Sequence, residues 1–208
     1  MRELSTDILI LGSGGAGLFA ALHAHQASPD LKITVAVKGL LGKCGCTRMV
    51  QGGYNVALAA GDSIERHFMD TIEGGKWLPD QDLAWKLVTL AVERIHELEN
   101  ELGCFFDRNP DGTVHQKAFA GQTFDRTVHK GDLTGIEIIN RLAEQVWARD
   151  IGRLEEHRAV ELVKTPPWGV PRPARISANI ARETMSRVAR SPRASYRLMK
   201  RSPALLSK

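Results

Sequence analysis

The feature that most constrains this chain is a glycine-rich turn that follows a short apolar run near its amino terminus. Residues 7–11 read Asp-Ile-Leu-Ile-Leu, which is typical of a buried parallel strand. Residues 12–17 then read Gly-Ser-Gly-Gly-Ala-Gly, and residues 18–25 carry apolar side chains at helical spacing. Residues 32–37 are rich in β-branched side chains and predict a second strand. The pattern therefore predicts an α/β fold that begins with a right-handed, parallel βαβ unit.

The glycines of this turn have distinct roles in holding a phosphate. Gly12 allows a tight turn, Gly14 lets the backbone approach a pyrophosphate, and Gly17 lets the helix pack close to the strand. The anion would lie at the amino terminus of the helix, where free amides and the helix dipole favour negative charge. An ordinary glycine-rich turn is disfavoured by the strand and helix on either side. The predicted cofactor-binding residues here are Gly12, Ser13, Gly14, Gly15, Ala16 and Gly17.

The end of the second predicted strand leaves the choice of dinucleotide open. Dinucleotide folds usually place Asp or Glu there to bind a ribose hydroxyl, but residues 37–39 read Val-Lys-Gly. Lys38 could favour a ribose phosphate, and hence NADP, or it could mark a flavoprotein family that uses a different residue. A nicotinamide-binding module without turnover is therefore one alternative.

A second motif resembles a flavoprotein family. Residues 45–58 read Gly-Cys-Thr-Arg-Met-Val-Gln-Gly-Gly-Tyr-Asn-Val-Ala-Leu. This stretch resembles the flavin-binding segment of the succinate dehydrogenase, fumarate reductase and L-aspartate oxidase family, whose second strand usually ends in Ser-Lys. The resemblance extends to about residue 163. It implies a Rossmann-like FAD-binding domain, incomplete here, with a parallel sheet and added helices. It also implies hydride transfer between the flavin and a C4 dicarboxylate, with an L-aspartate oxidase-like activity as the alternative.

The resemblance assigns roles to particular residues. Respiratory members carry a histidine, joined covalently to the flavin, at the position of Cys46, so the resemblance implies noncovalent FAD here. Phe119 would lie beside the dicarboxylate with Gly52 and Gly53, although it could equally be a core aromatic residue. The catalytic arginine is expected beyond the end of the chain, so no catalytic residue is assigned. The implied cofactor-binding residues are Lys38, Gly45, Cys46, Thr47, Gln51, Gly52 and Gly53.

Other polar residues are weaker candidates. Arg126 could bind a phosphate or pair with Asp132, and a structural ion pair is favoured. His115 and His129 flank the Phe119 segment. No spacing of His and Cys residues predicts a metal site, and an odd number of cysteines, three, disfavours a disulfide framework. We therefore expect a cytoplasmic protein, alternatively one bound peripherally at the inner face of the membrane. No apolar run reaches the roughly 18 residues of a membrane span.

The charge of the chain is divided unevenly. The net charge is +4, but ten basic residues and one acid fall in residues 165–208, which leaves the first 164 residues with 18 bases and 23 acids, a net of −5. This disfavours nucleic-acid binding by the whole chain. We expect residues 1–163 to form the amino-terminal part of the FAD-binding domain. Residues 164–208 are expected to be a disordered or frameshifted tail, or else a genuine basic tail. A truncated chain would be inactive alone, and an iron–sulfur electron-transfer subunit is a possible partner.

Periodicity also predicts several further elements. Helices are expected over residues 55–60, 63–74, 80–102 and 134–149, and a strand over residues 156–163. The long helix is predicted to begin at Asp80 and to bury Leu83, Leu87, Leu90 or Ala91, Ile95 and Leu98. Residues 109–112, Asn-Pro-Asp-Gly, predict a turn between two short strands.

Overall fold

The computed structural model describes residues 4–164, 172–174 and 194–200. These residues belong to two compact units, one comprising residues 1–48 and 142–208 and the other residues 49–141. No helix of the described part is long and apolar enough to cross a membrane. The elements in chain order are β1 (Ile8–Leu11), α1 (Gly15–Ala27), β2 (Ile33–Ala36), a 3-10 turn (Cys46–Met49), β3 (Tyr54–Asn55), α2 (Ile64–Gly74), α3 (Gln81–Asn100), β4 (Gln116–Lys117), β5 (Thr127–Val128), α4 (Thr134–Trp147), β6 (Ile151–Leu154), β7 (His157–Lys164), β8 (Arg172–Ala174) and β9 (Ala194–Lys200).

A three-stranded parallel sheet organises the first unit. Its order is β1-β2-β6, with Ile33 beside Ile8 on one side and Ile151 on the other. Leu18 and Val35 are fully buried, and each such side chain contributes roughly 1.5–3 kcal/mol on burial. The predicted β1-α1-β2 unit is confirmed. Strand β6 was not predicted, because its sequence, Ile-Gly-Arg-Leu, carries no strand alternation.

The carboxyl end of β2 is fixed by the strands that follow α4. The Val37 amide donates to the Leu154 carbonyl at 2.9 Å, and the His157 amide donates to the Val37 carbonyl at 2.9 Å. These bonds extend the sheet beyond β2 itself. Lys38, which comes next and is exposed, is therefore held at the edge of the sheet where β1 also ends.

Strand β7 confirms the strand predicted over residues 156–163, and it pairs antiparallel with β8 and β9. Those two strands belong to the segment expected to be a disordered or frameshifted tail. Apart from Lys164, which ends β7, the other residues of that segment lie outside the described residues, and the expectation about its origin stays a prediction.

Helices α2 and α3 of the second unit each begin with a side-chain cap. Ser63 Oγ accepts a hydrogen bond from the Arg66 amide at 3.1 Å, and Asp80 Oδ1 accepts one from the Leu83 amide at 3.0 Å. Such caps typically stabilise a helix by about 1 kcal/mol. Helix α4 begins in the second unit and ends in the first.

The buried face of α3 differs from the prediction in its first half. Leu83 and Leu87 are 64% and 60% exposed. Of the alternatives Leu90 and Ala91, Ala91 is the buried one, and Leu90 is 49% exposed. The buried positions are Ala84, Val88, Ala91, Ile95 and Leu98. The prediction followed the most hydrophobic residues, whereas the packed face uses smaller ones that allow a closer approach. Only the buried positions in the carboxyl-terminal half of α3 were predicted correctly.

The predicted helix over residues 55–60 is wrong, since the chain there enters a small antiparallel sheet instead. Strand β3 pairs with β5, and β5 pairs with β4, giving the order β3-β5-β4. The Val56 amide donates to the Arg126 carbonyl at 3.0 Å and continues this pairing. The predicted turn at residues 109–112 is present, with the Gly112 amide donating to the Asn109 carbonyl at 2.9 Å, but a single bridge between Arg108 and Val114 replaces the two expected strands.

Candidate functional site

The glycine turn of the first unit joins the end of β1 to the start of α1. Gly12 has a φ of 106°, and its amide donates to the Ala36 carbonyl of the neighbouring strand at 2.8 Å. Helix α1 has Gly14 as its N-cap, without a capping side chain, and no acidic residue in its first turn. The amides of a first helical turn lack partners within the helix. This helix end therefore offers amide donors and a positive dipole end to an anion.

Gly17 is required by its contact with the turn. A Cβ built on Gly17 would lie 2.2 Å from the Gly12 carbonyl oxygen and 3.1 Å from the Gly12 carbonyl carbon. The obstacle is backbone, which cannot move aside as a flexible side chain could. Gly17 thus holds α1 against the turn, as the sequence pattern predicted.

The second motif packs against this turn within the first unit. Thr47 Oγ1 accepts a hydrogen bond from the Gly15 amide at 3.0 Å, although the two residues are 32 apart in sequence. Gly45 has a φ of 102°, and a Cβ on it would lie 3.6 Å from the Gly14 Cα. The structure therefore brings together residues of two motifs that were identified separately.

Other predicted residues of this unit have different environments. Ser13 is buried, and its hydroxyl accepts from the Gly42 amide at 3.2 Å, so its side chain holds the loop that follows β2. Ala16 and Lys38 are exposed. Cys46 is exposed and free at the start of the 3-10 turn. The Cys46 thiol is therefore available to the solvent or to a bound group.

Gly52 and Phe119, both predicted to lie beside the substrate, are in contact within the second unit. A Cβ on Gly52 would lie 2.8 Å from Phe119 Cε2. Phe119 is 52% exposed, so the alternative that it is a core aromatic residue is wrong. Gly53 has a φ of 140°, and a Cβ there would lie 2.4 Å from the Val128 carbonyl oxygen. Gln51 is exposed. That these residues bind the same dinucleotide as the glycine turn stays a prediction.

Arg126 forms the buried ion pair that the sequence favoured, but with other partners. Its guanidinium donates to Asp62 through Nε and Nη2, each at 2.8 Å, and to Asp70 through Nη1 at 2.6 Å. The expected partner, Asp132, is wrong. Burial opposes the charge, but the hydrogen bonds that the guanidinium donates to both carboxylates outweigh this effect and raise the pKa of Arg126. A guanidinium with two carboxylates already in contact is structural rather than a phosphate ligand.

The cluster formed by Arg126, Asp62 and Asp70 also anchors the segment that carries Phe119. Asp70 accepts from the Thr123 amide at 2.9 Å and from the Thr123 hydroxyl at 3.0 Å. Burial raises the pKa of Asp70, but the hydrogen bonds from Thr123 and Arg126 lower it by a larger amount, so the pKa of Asp70 is lowered overall. Gln122 Oε1 is buried and has no hydrogen-bond partner among the described residues. The segment thus carries an exposed aromatic ring and a buried amide oxygen close together in sequence.

A buried histidine lies beside the cluster. His67 is 5% exposed, and its Nδ1 finds no partner within the described part of the chain. Burial lowers its pKa, and the Arg126 charge lowers it further, against the opposing effect of Asp62 and Asp70. Both effects favour the neutral form of His67 beside the Arg126 guanidinium.

The two histidines that flank the Phe119 segment contact each other. His115 Nδ1 and His129 Nε2 are 2.7 Å apart, and His129 is 9% exposed. His129 Nδ1 is 3.1 Å from Asp107 Oδ2, an ion-pair distance without hydrogen-bond geometry. Burial lowers the pKa of His129. Asp107 also accepts from the Gly131 amide at 2.7 Å.

No signal in the sequence marks the acidic partners of these residues. Asp62 is 64 residues from Arg126, and Asp70 is 53 residues from Thr123, so no local pattern reveals them. Within the described ranges, no three His, Cys, Asp or Glu residues are arranged to hold a metal ion.

Comparisons with known proteins point in one direction. The FAD binding domain family matches residues 7–195, and so extends past residue 163, where the motif-level resemblance ended. The chain is 42% identical over 161 residues to an uncharacterized FAD-dependent oxidoreductase of Methanocaldococcus jannaschii, covering 77% of this chain and 29% of that protein. It is 44% identical over 155 residues to one subunit of the fumarate reductase (CoM/CoB) of Methanothermobacter marburgensis, covering 72% of this chain and 27% of that subunit.

A solved structure gives the same result for the fold. The Escherichia coli quinol fumarate reductase chain superimposes with a TM-score of 0.75 at 34% identity, covering 78% of this chain and 28% of that one. The chain therefore spans less than a third of the length of each of these three relatives. The predicted family, the Rossmann-like α/β fold and the FAD cofactor are confirmed. This chain belongs to the FAD binding domain family.

Proposed function

We propose that this chain forms the FAD-binding part of an oxidoreductase of the succinate dehydrogenase and fumarate reductase flavoprotein type. The observation that carries the proposal is the hydrogen bond from the Gly15 amide to Thr47, at 3.0 Å. A glycine turn alone would suit FAD or NADP. A flavin motif packed on that turn favours FAD over the nicotinamide-binding alternative, and the family membership agrees with it.

The residues of the first unit fit a dinucleotide. The uncapped helix end after Gly14 suits the pyrophosphate, and Lys38 follows the strand whose end usually contacts the ribose. Gly45, Cys46 and Thr47 belong to the same unit and are proposed to bind the cofactor with them. In the second unit, the backbone of Gln51, Gly52 and Gly53 suits the flat flavin ring. When bound, FAD supplies the two-electron hydride chemistry, which this chain's side chains cannot supply themselves.

The FAD is proposed to be noncovalent, because Cys46 stands where a flavin-linked histidine is expected. Denaturation with acid tests this directly. All of the flavin is expected in the supernatant, both for the wild type and for Cys46→Ser. Flavin that precipitates with the wild-type protein but not with Cys46→Ser would instead show a cysteinyl linkage.

The substrate is proposed to be a C4 dicarboxylate bound beside Gly52, Gly53 and Phe119. Phe119 offers an exposed apolar wall, and the buried amide oxygen of Gln122 lacks a partner among the described residues. Because the O and N atoms of an amide can exchange places, Gln122 could donate to a carboxylate. Several relatives are named as fumarate reductases, which favours fumarate or succinate over L-aspartate. The proton-transferring arginine is not assigned to any residue of this chain.

The whole protein is proposed to exchange electrons with an iron–sulfur subunit, as the family resemblance implies. We also infer a cytoplasmic location, with peripheral attachment to the inner face of the membrane as the alternative. No disulfide joins Cys44, Cys46 and Cys104, which suits a reducing compartment.

The proposal is tested by adding FAD to the purified chain and then removing unbound flavin by gel filtration. A yellow protein that keeps its flavin in excess NADP is expected. A colourless protein, or displacement of flavin by NADP, would contradict the proposal.

Substrate binding is tested separately on the FAD-loaded chain. Fumarate is expected to perturb the flavin spectrum, and Phe119→Ala is expected to weaken that effect at least several-fold. Phe105→Ala is the matched control, because Phe105 is a comparably exposed phenylalanine, at 62%, that was not predicted to contact the substrate. Equal loss in both variants would remove Phe119 from the proposed site.

A further inference from the structure

The contact between His115 and His129 has no role in the proposed function so far. The two ring nitrogens are 2.7 Å apart, so one ring donates a hydrogen bond to the other. The carboxylate of Asp107 at 3.1 Å from His129 Nδ1 favours a proton on that nitrogen. His129 Nε2 then accepts from His115 Nδ1, which leaves His115 Nε2 as the free base of the pair.

The strand register brings this pair beside the proposed flavin-binding backbone. Val128 pairs with Tyr54 on one side and with Gln116 on the other. Gly53, His129 and His115 each adjoin one of these three paired residues. The Asp107 backbone lies between the two histidines, because the His115 amide donates to the Asp107 carbonyl at 2.8 Å and the Asp107 amide donates to the His129 carbonyl at 2.9 Å. The close approach of Gly53 to the Val128 carbonyl, with 2.4 Å from a built Cβ, agrees with this register. Neighbouring strands are about 4.8 Å apart and His129 directly follows Val128, so the His129 backbone lies within about 10 Å of Gly53.

We propose that His115 and His129, held by Asp107, form a proton-binding pair that takes up one proton when the flavin beside Gly52 and Gly53 is reduced. This inference rests on the proposed function, because it requires FAD at that backbone. Two electrons and one proton entering the flavin leave it with one negative charge. A second proton, taken from solvent by His115 Nε2, compensates that charge. In the experiment, dithionite supplies the electrons.

The magnitude of the coupling follows from the distance. With an effective dielectric constant of about 20, a new negative charge at a distance of about 10 Å would raise the pKa of the pair by about one pH unit. Burial lowers the pKa of His129, as do Lys117 and His115, whereas Asp107 and Asp132 raise it. Lys130 acts through its 3.2 Å hydrogen bond to Asp107.

The potential of the bound flavin, measured against pH, tests the proposal. A tenfold change in proton concentration shifts a two-electron potential by about 30 mV for each proton taken up. The wild type is expected to show about 60 mV per pH unit over a window about one unit wide, and about 30 mV on either side. The double variant His115→Gln with His129→Gln is expected to show about 30 mV throughout. The exposed His96 on α3 provides the control His96→Gln, which should keep the window.

A second measurement applies if the double variant does not fold. Histidine NMR of the wild-type protein is expected to give an apparent pKa for the pair that is about one unit higher with reduced FAD than with oxidised FAD. A window that persists in the double variant, or equal pKa values in the two redox states, would overturn the proposal while leaving FAD binding intact. A chain that stays colourless after FAD addition would overturn both the proposed function and this inference.

Discussion

The two units of this chain build their candidate sites from different materials. The glycine turn of the first unit consists of backbone amides, small residues and one threonine hydroxyl, and it includes no charged side chain between Gly12 and Gly17. The second unit buries Arg126 with two carboxylates and packs His67 beside them. The first arrangement leaves donors free for a ligand, whereas the second satisfies its own charges and positions the Phe119 segment. The first unit therefore offers backbone amides to a ligand, whereas the second unit uses buried charges to position a segment of the chain.

The largest effect is expected from Arg126→Met. Removing the guanidinium leaves the carboxylates of Asp62 and Asp70 buried and unpaired, which typically costs about 3–5 kcal/mol of unfolding free energy. Arg141→Met is the control, because Arg141 is 40% exposed in its i,i+4 pair with Glu137 and such helix pairs contribute about 0.3–0.5 kcal/mol. Urea unfolding measures the unfolding free energy of both variants. Equal losses would show that the buried cluster is not what holds the second unit.

Gly17→Val is expected to act on the first unit instead. Its Cβ would meet the Gly12 carbonyl at 2.2 Å, and overpacking of this kind costs about 1–3 kcal/mol. The displaced turn should also lose FAD binding almost completely. Gly74→Ala is the matched control, because nothing lies within 4 Å of a Cβ built there. Calorimetric titration with FAD measures both variants, and undiminished binding by Gly17→Val would show that the turn is not the phosphate site.

Thr47→Val sharpens the same comparison by removing one hydrogen bond while keeping the side-chain shape. Loss of the acceptor for the Gly15 amide is expected to cost about 0.5–1.5 kcal/mol, with FAD affinity lowered several-fold. Thr47→Ser, which keeps the hydroxyl, should retain most of the stability and most of the FAD affinity. If Thr47→Val binds FAD as tightly as the wild type, the contact between the two motifs is not needed for cofactor binding.

Acid should weaken the second unit without any substitution. The pKa values of His67 and His129 are lowered by burial, so the unfolded chain takes up protons below about pH 6.5 that the folded chain does not. Unfolding free energy should therefore fall between pH 7.5 and pH 5.5. The pKa of Asp70 is also lowered, and the stability that Asp70 contributes is lost only below about pH 4. His67→Leu should reduce the fall, whereas a stability that rises on acidification would contradict these assignments.

The sequence predicted the parts of the molecule that are encoded locally. The turn from Gly12 to Gly17 lies between its own strand and helix, and Ser63 and Asp80 mark helix starts through bonds to residues three positions away. The ion pairs of Arg126 and the contact between Gly15 and Thr47 join distant segments, so no periodicity or spacing reveals them. The error at residues 55–60 has the same origin, because pairing of β3 with β5 overrides a local helical preference.

Hydrogen exchange with and without FAD tests most directly whether the two motifs bind one cofactor. FAD is expected to slow the exchange of amides in residues 12–17 and in residues 45–53 together, and Gly17→Val should abolish both effects. Slowing confined to residues 12–17, with residues 45–53 unchanged by FAD, would contradict the flavin site proposed for this chain.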